Sequence, residues 1–320
     1  MTALNNSSVA FVFPGQGSQK VGMLAELAQH YPVIEQTFAE ASQALGFDLW
    51  NIAQSGEKLD QTAYTQPVLL TASVAIWRAW RENNTILPVY LAGHSLGEYS
   101  ALVAAEAISL QDAVKLVHLR GQLMQQAVAE GEGAMAAILG WDDAQVIELC
   151  QNVSKNAGVG QVDAANFNAK GQVVIAGTTQ AVNVAIEQAK SQGAKAIVLP
   201  VSVPSHCSLM QDTAQQFAQS LNQIDWQLPK IPVIHNVNVQ VANNTDELKQ
   251  ALTEQLYKSV QWTQTLSYLE QHGIQYLVEC GAGNVLSNLA KRLPFVQQVL
   301  PLDTPSRFGD AVNHLQHLKG

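Results

Sequence analysis

Ser95 is the middle residue of Gly93-His94-Ser95-Leu96-Gly97, a G-x-S-x-G pattern that can present a serine hydroxyl for nucleophilic attack. The pattern alone is weak, because it also arises by chance in long chains. Here the apolar run PVYLAG precedes it and the helix-forming run LGEYSALVAAEAI follows it. A strand, a sharp turn and a helix in this order would expose the serine and direct the Leu96 amide towards the same point. The context therefore predicts a nucleophilic serine beside an amide able to hold an oxyanion.

A serine nucleophile needs a general base, and His206 is the best placed of the eight histidines. In the run VSVPSHCSLM it follows a predicted strand and a proline turn and precedes a helix. That places it at the carboxyl edge of a strand, where α/β sheets build sites. His94 adjoins Ser95, and neighbours on a tight turn point apart, whereas His118 and His235 fit structural roles. No aspartate clearly ends a strand of the larger unit, so a backbone carbonyl could orient the imidazole instead.

Arg120 lies in a predicted helix, QDAVKLVHLRGQLMQQAV, with Leu116, Val117, Leu123 and Met124 on the same face. A guanidinium inside an apolar stripe is unfavourable unless it is paired. Two interpretations stay open on this pattern. The arginine either snorkels or makes a structural ion pair, or it binds a ligand carboxylate through its two-pronged fork.

The run FPGQGSQ follows the first predicted strand and has two glycines, Gly15 and Gly17, in a tight turn. A dinucleotide-binding loop would need a third glycine three residues later and an acidic residue closing a second strand, and neither is present. The glycines instead suit backbone amides that approach a reacting centre.

Composition limits the class of protein. The chain has 320 residues, 47% of them hydrophobic and 13% charged, which is enough for a sizeable core and one or two domains. A net charge of −9 argues against non-specific nucleic-acid binding. Three widely separated cysteines favour a reducing, cytoplasmic compartment over a disulfide framework. The first residues lack the pattern of a signal peptide or membrane span, and no spacing of histidines and acids predicts a metal site.

The order of predicted elements divides the chain into two units. Residues 131–200 read as β-α-β-β-α-β, the pattern of a ferredoxin-like small subdomain. Residues 1–130 and 201–320 form the larger α/β unit into which it is inserted. Within the larger unit, Gly22 to about Ala44 reads as helical.

Several stretches together resemble the malonyl-CoA:acyl carrier protein transacylase family, and the likeness covers nearly the whole chain. They are FVFPGQGSQ, GHSLGEYSAL, LRGQLMQ, GAMAAILG, AANFNAKGQVVIAG, LPVSVPSHCSLM, VQWTQTL and VECGAGNVLSNL. The resemblance implies an α/β-hydrolase-like large subdomain that carries the ferredoxin-like insert. It also implies transfer of a malonyl group from malonyl-CoA to the phosphopantetheine thiol of acyl carrier protein, without a metal or other cofactor.

The same resemblance assigns roles to individual residues. Ser95 would be the nucleophile, His206 its base, and Arg120 the anchor of the malonyl carboxylate. The backbone amides of Gln16 and Leu96 would form the oxyanion hole. The resemblance further implies that the main-chain carbonyl of Gln261 orients His206, and that the acyl pocket is lined by Met124, Asn166 and Ser205.

Four basic residues are candidates for docking an acidic carrier protein, although ordinary solvated side chains are an equal alternative: Lys190, Lys195, Lys291 and Arg292. Three other functions stay open. A serine thioesterase or esterase would use the same serine and histidine, but it gains nothing from a buried arginine unless its substrate is acidic. A trans-acting acyltransferase of a polyketide pathway would share the whole pattern. A catalytically silent scaffold would not need these residues intact.

Overall fold

The computed structural model describes residues 8–84, 86–156, 158–201, 203–291 and 293–317, and over these residues the chain folds as α/β with two separate sheets. The larger sheet is parallel throughout, in the order β7-β2-β1-β8-β9. Its strands are β1 (Val9–Phe13), β2 (Tyr90–Gly93), β7 (Val233–Ile234), β8 (Tyr276–Glu279) and β9 (Gln298–Pro301). The central strand β1 is buried at every position, as expected for a sheet covered by helices on both faces.

Helices cover both faces of this sheet and supply most of the main core. They are α1 (Ala25–His30), α2 (Val33–Leu45), α3 (Leu49–Ser55), α4 (Thr62–Asn83), α5 (Gly97–Ala104), α6 (Leu110–Gln126), α9 (Gln211–Leu221), α10 (Thr245–Gln255), α11 (Trp262–Gln271), α12 (Val285–Ala290) and α13 (Pro305–His317). The helix expected from Gly22 to about Ala44 is instead two helices, α1 and α2. They separate at Tyr31-Pro32, where proline cannot continue the hydrogen-bond ladder of the preceding helix.

The smaller sheet is antiparallel, in the order β4-β5-β3-β6, and carries α7 and α8. Its elements follow the predicted β-α-β-β-α-β order, which confirms the fold class: β3 (Gly133–Leu139), α7 (Asp143–Ser154), β4 (Val162–Ala169), β5 (Gln172–Thr178), α8 (Thr179–Ser191) and β6 (Lys195–Val198). A separate apolar cluster joins this sheet to its two helices. All six elements fall inside residues 131–200, and that division of the chain stays our prediction.

Two backbone hydrogen bonds connect the small sheet to the large subdomain. The Val260 amide donates to the Ala165 carbonyl, and the Phe167 amide donates to the Val260 carbonyl. The segment before α11 is thereby fixed alongside β4. Over the described residues, no helix combines the length and the apolar character needed to cross a membrane.

Candidate active site

Ser95 lies at the turn between β2 and α5, as the sequence predicted. Its backbone is left-handed, with φ 53°, a conformation that residues other than glycine seldom adopt and that marks a strained, sharp turn. The flanking glycines make this turn possible. A Cβ on Gly93 would collide with the backbone of Gly97, and a Cβ on Gly97 would collide with the carbonyl of Phe13. The strand, turn and helix are therefore packed too closely at this point for any side chain.

His206 is in hydrogen-bond contact with the serine. Its Nε2 lies 2.7 Å from Ser95 Oγ, and its Nδ1 lies 2.6 Å from the main-chain carbonyl oxygen of Gln255. Because a carbonyl only accepts, Nδ1 carries the proton and Nε2 is free to receive the serine proton. Burial, reinforced by the positive charge of Arg120, lowers the pKa of His206 to about 3, against the opposing effect of the Gln255 hydrogen bond. The imidazole is therefore neutral near pH 7 and is ready to act as a base.

The prediction that the Gln261 carbonyl orients His206 is wrong. That carbonyl accepts from the amide and hydroxyl of Thr265, at 2.9 and 3.0 Å, because Gln261 is the N-cap residue of helix α11. Gln255 instead ends helix α10, where carbonyl groups lack a partner within the helix. The free carbonyl at a helix C-terminus takes the place that a carboxylate occupies in a serine triad.

The loop that contains Gln16 lies against the serine turn. A Cβ on Gly15 would collide with the His94 carbonyl, so this glycine permits close approach of the two backbones. Among the described residues, the amides of Gln16 and Leu96 have no hydrogen-bond partner, whereas the Ser95 amide is already bound to Asn236 Oδ1 at 2.7 Å. The two amides named by the sequence analysis are therefore available to an oxyanion, and that role stays a prediction.

Arg120 is buried, with 1% of its surface exposed, which excludes a snorkelling side chain. Its two terminal nitrogens each donate to a neutral amide oxygen at 2.9 Å, Nη1 to Gln66 and Nη2 to Gln255. The Tyr99 ring lies 5.4 Å from the guanidinium carbon, within range of a cation–π contact. Burial lowers the pKa of Arg120 from its usual value, although the side chain remains cationic at neutral pH. In the described part of the chain no carboxylate pairs with it directly, and Nε has no partner.

The three residues predicted to line the acyl pocket, Met124, Asn166 and Ser205, have no side-chain hydrogen bond to the serine, the base or the arginine among the described residues. Met124 is buried on α6 beside the arginine, and its sulfur accepts from Gln66 Nε2 at 3.6 Å. Asn166 is buried on β4, and Ser205 immediately precedes His206. Over the described residues neither is hydrogen-bonded to the serine, the base or the arginine, so the pocket-lining roles of all three stay predictions.

The three candidate docking residues that the structure describes, Lys190, Lys195 and Lys291, are exposed. Lys190 lies in the last turn of α8, where its Nζ is 3.7 Å from Glu187 Oε1, and Lys195 begins the edge strand β6. Lys291 follows α12 and donates to Asn288 at 2.9 Å. Arg292 lies outside the described residues. In that part of the chain, no cluster of three or more histidines, cysteines, aspartates or glutamates could hold a metal ion.

Sequence reasoning missed four polar residues that support the site. They are Gln66, Glu98, Asn236 and Gln255, and each is at most 1% exposed. A signal existed for two of them, because Glu98 is a lone charge in an apolar helix and Gln66 precedes the apolar run PVLL. Of the other two, Asn236 lies two residues beyond the end of β7 and Gln255 ends the polar helix α10, and neither gives such a signal.

Known proteins resemble this chain over most of its length. The model of the family described as acyl transferase domain matches residues 10–290. The malonyl CoA-acyl carrier protein transacylase of Escherichia coli (strain K12) is 50% identical over 306 residues, which cover 95% of this chain and 98% of that protein. The protein of the same name from Haemophilus influenzae (strain Rd) is 51% identical, over 93% and 96% of the two chains.

Solved structures of similar sequence have the same fold as this chain. The crystal structure of FabD from Acinetobacter baumannii matches with a TM-score of 0.96 and 63% identity, over 97% of this chain and 99% of that one. A complex described as a type II PKS acyl-carrier protein with its malonyl-transacylase matches with a TM-score of 0.93 and 46% identity, over 96% and 99%. These findings confirm the resemblance inferred from the sequence motifs. The chain therefore belongs to the acyl transferase family, among the malonyl CoA-acyl carrier protein transacylases.

Proposed function

We propose that this acyltransferase moves a malonyl group from malonyl-CoA to the phosphopantetheine thiol of acyl carrier protein through a malonyl ester on Ser95, and so supplies fatty acid synthesis. The observation that carries the proposal is the joint environment of Ser95 and Arg120. One residue, Gln255, donates its side-chain amide to the Ser95 carbonyl at 3.0 Å and accepts from Arg120 at 2.9 Å. A buried cation that no carboxylate of the described residues pairs with thus lies next to a serine that is hydrogen-bonded to its base.

Acylation begins when malonyl-CoA places its carboxylate on the Arg120 fork and its thioester carbonyl over Ser95. The serine oxygen attacks the carbonyl carbon while His206 Nε2 takes the hydroxyl proton. The amides of Gln16 and Leu96 are free to stabilise the oxyanion, and the loss of one such donor typically costs about 10²–10³ in rate. As the C–S bond breaks, the coenzyme leaves with the proton from His206, and malonyl-Ser95 remains.

Deacylation reverses these steps with a second thiol. The phosphopantetheine thiol loses its proton to His206, and its sulfur attacks the ester carbonyl. The serine oxygen then leaves and regains its proton from the imidazolium. The order is ping-pong, and every proton moves through one nitrogen atom.

A second candidate function shares this chemistry, namely transfer to the carrier protein of a polyketide pathway. It is favoured by one observation, the 46% identity to a malonyl-transacylase whose structure contains a type II PKS acyl-carrier protein. Transfer rates to a fatty acid carrier protein and to a polyketide carrier protein, measured side by side, separate the two. A cytoplasmic location is proposed only on the cysteine pattern, and all three thiols are buried and free.

The test of the proposed function is intact-protein mass spectrometry after mixing with malonyl-CoA. One malonyl adduct is expected on the wild-type chain and none on Ser95→Ala. Addition of a carrier protein with its phosphopantetheine arm should then discharge the adduct to that arm, whereas water alone should not. An adduct that persists in Ser95→Ala would exclude this serine, and rapid discharge to water would favour the thioesterase alternative.

A further inference from the structure

Behind the serine turn lies a buried carboxylate that the proposed mechanism does not use. Glu98 is the second residue of α5 and has no exposed surface. Its Oε1 lies 2.7 Å from His235 Nδ1, and its Oε2 accepts from the Asn236 amide at 3.0 Å and from Gln255 Nε2 at 2.8 Å. Three donors therefore converge on one side chain, and only a carboxylate offers acceptors on both of its oxygens.

Asn236 connects this carboxylate to the two ends of the serine turn. Its side-chain Oδ1 accepts from the Ser95 amide at 2.7 Å, and its Nδ2 donates to the Gly93 carbonyl at 2.6 Å. These bonds hold the peptide groups on both sides of His94. They satisfy polar groups that a sharp turn cannot pair with its own backbone, and they oppose relaxation of the left-handed φ of Ser95.

Gln255 extends the same connection to the other parts of the site. Its side chain binds Glu98, the Ser95 carbonyl and Arg120, while its own carbonyl orients His206. The serine, its base and the cation are thus each connected to the Glu98 carboxylate through two hydrogen bonds, with Gln255 or Asn236 between them. A displacement of Glu98 would alter several distances at once.

We propose that Glu98 and Asn236 are positioning residues, which hold Ser95 in the conformation that reaches His206 and the oxyanion amides. The inference rests on the proposed function for the identity of the reaction, but not for the position of the serine. A purely structural role would lower the stability of the fold without changing the reactivity of Ser95 in folded molecules. A positioning role changes that reactivity, because an error of about 1 Å in placement can cost about 10²-fold in rate.

The test uses Glu98→Gln, which keeps the size of the side chain but turns an NH₂ group towards a donor. Asn236→Asp keeps the acceptor for the Ser95 amide and replaces the donor to Gly93 with a repelling oxygen. The matched control is Glu279→Gln, the same change at another carboxylate with no exposed surface, which binds only the amides of Leu286 and Ser287 among the described residues. Circular dichroism and thermal melting give the folded fraction of each protein.

Two rates are then measured per folded molecule. They are labelling of Ser95 by a fluorophosphonate probe, which needs no malonyl group, and the single-turnover rate of malonyl-enzyme formation. We expect both variants to lose about tenfold or more in both rates, and Glu279→Gln to label at the wild-type rate. The KM for malonyl-CoA should be nearly unchanged in Asn236→Asp, whose side chain bonds only the serine turn.

Wild-type labelling rates in folded Glu98→Gln and Asn236→Asp, or an equal loss in Glu279→Gln, would overturn the inference. If Glu98→Gln does not fold, Asn236→Asp decides by the same criterion. Failure of the proposed function has a different signature, because Ser95 would then label with the probe in the wild-type chain but form no malonyl adduct.

Discussion

Arg120 and Glu98 are a buried cation and a buried anion separated by a single amide group, the side chain of Gln255. Arg120 Nη2 donates to Gln255 Oε1 at 2.9 Å, and Gln255 Nε2 donates to Glu98 Oε2 at 2.8 Å. The negative charge of Glu98 supports the protonated form of the arginine at this short range. A direct ion pair would have occupied the guanidinium fork. The intervening amide compensates part of the charge and leaves the fork able to bind a ligand carboxylate.

The choice of acyl group should depend on Arg120. Arg120→Ala should lower kcat/KM for malonyl-CoA by about 10²- to 10⁴-fold, because a site built on such a pairing loses its main attraction. Activity with acetyl-CoA should rise relative to malonyl-CoA, since the variant no longer holds an unmatched cation. Arg120→Lys should restore only part of the activity, because an ammonium cannot donate two parallel hydrogen bonds. Steady-state kinetics with both substrates measure the effect.

A milder change separates anchoring from charge. Gln66→Leu removes the acceptor of Arg120 Nη1 and leaves the cation in place. We expect a loss of about 10- to 100-fold for malonyl-CoA, the value of one hydrogen bond to a charged group, and little change for acetyl-CoA. An unchanged ratio of the two substrates in folded Arg120→Ala would make the arginine structural.

The reactivity of Ser95 should persist in acid. Burial and the Arg120 charge hold the pKa of His206 at about 3, so the base stays neutral well below pH 6.5. Fluorophosphonate labelling of Ser95, measured from about pH 4 to pH 8, should be nearly constant over this range and fall only below it. Arg120→Gln removes the cation and should move the fall to higher pH. A wild-type midpoint near 6.5 would contradict the assignment.

Glu279 should make the fold less stable as pH rises. Burial raises the pKa of its carboxyl group to about 7, against the opposing bonds from Ser287 and Leu286. Because the folded pKa exceeds the unfolded value of 4.5, its stabilising contribution is complete below pH 4.5 and is lost as pH rises through 7. The loss is of the order of 3 kcal/mol. His206 has the opposite sign, since its depressed pKa removes stability as pH falls below 6.5.

The two effects overlap, so the measurement compares variants rather than one curve. Urea unfolding of the wild-type chain and Glu279→Gln, at about pH 5 and about pH 8, gives the difference in free energy of unfolding at each pH. The wild-type advantage over Glu279→Gln should shrink at the higher pH. A difference that does not change with pH would show that the carboxyl group titrates normally.

Carrier-protein docking should depend on the surface lysines. Lys195→Glu and Lys291→Glu should raise the KM for the carrier protein and weaken its salt dependence, because charges far from the reaction act on association. Lys190→Glu should have a smaller effect, since Glu187 already offsets part of its charge. Malonyl-enzyme formation from malonyl-CoA is the control and should be unchanged. Equal loss in both half-reactions, or none in either, would rule out this surface.

The sequence predicted the residues whose chemistry is visible locally. Ser95 stands between a strand and a helix, His206 precedes another helix, and Arg120 interrupts an apolar stripe. The order of elements in the small subdomain was also predicted from the sequence, because its strands and helices differ in hydrophobic periodicity and are bounded by turn residues. The break between α1 and α2 also has a local signal, because Pro32 favours the end of one helix and the start of the next, and the prediction of a single helix did not take it into account.

The orienting carbonyl could not be found in this way. Every residue has a carbonyl group, and only the folded chain shows that the end of α10, rather than the start of α11, reaches His206. The same holds for Asn236, one of many asparagines in the chain, whose hydrogen-bond partners in the serine turn are 141 and 143 positions away. Such contacts depend on tertiary packing, which local patterns do not encode.

The bond from His206 to a neutral carbonyl also bears on the lifetime of the acyl-enzyme in water. A carboxylate partner would stabilise the imidazolium and strengthen the base towards any hydroxyl group, that of water included. The Gln255 carbonyl gives less support, and the imidazole remains a weak base. A thiol, with a pKa of about 8.5, needs far less help to become a nucleophile. We therefore expect the ester to pass to a thiol faster than to water, whereas Ser95 itself relies on its 2.7 Å hydrogen bond to His206 Nε2 to become a nucleophile.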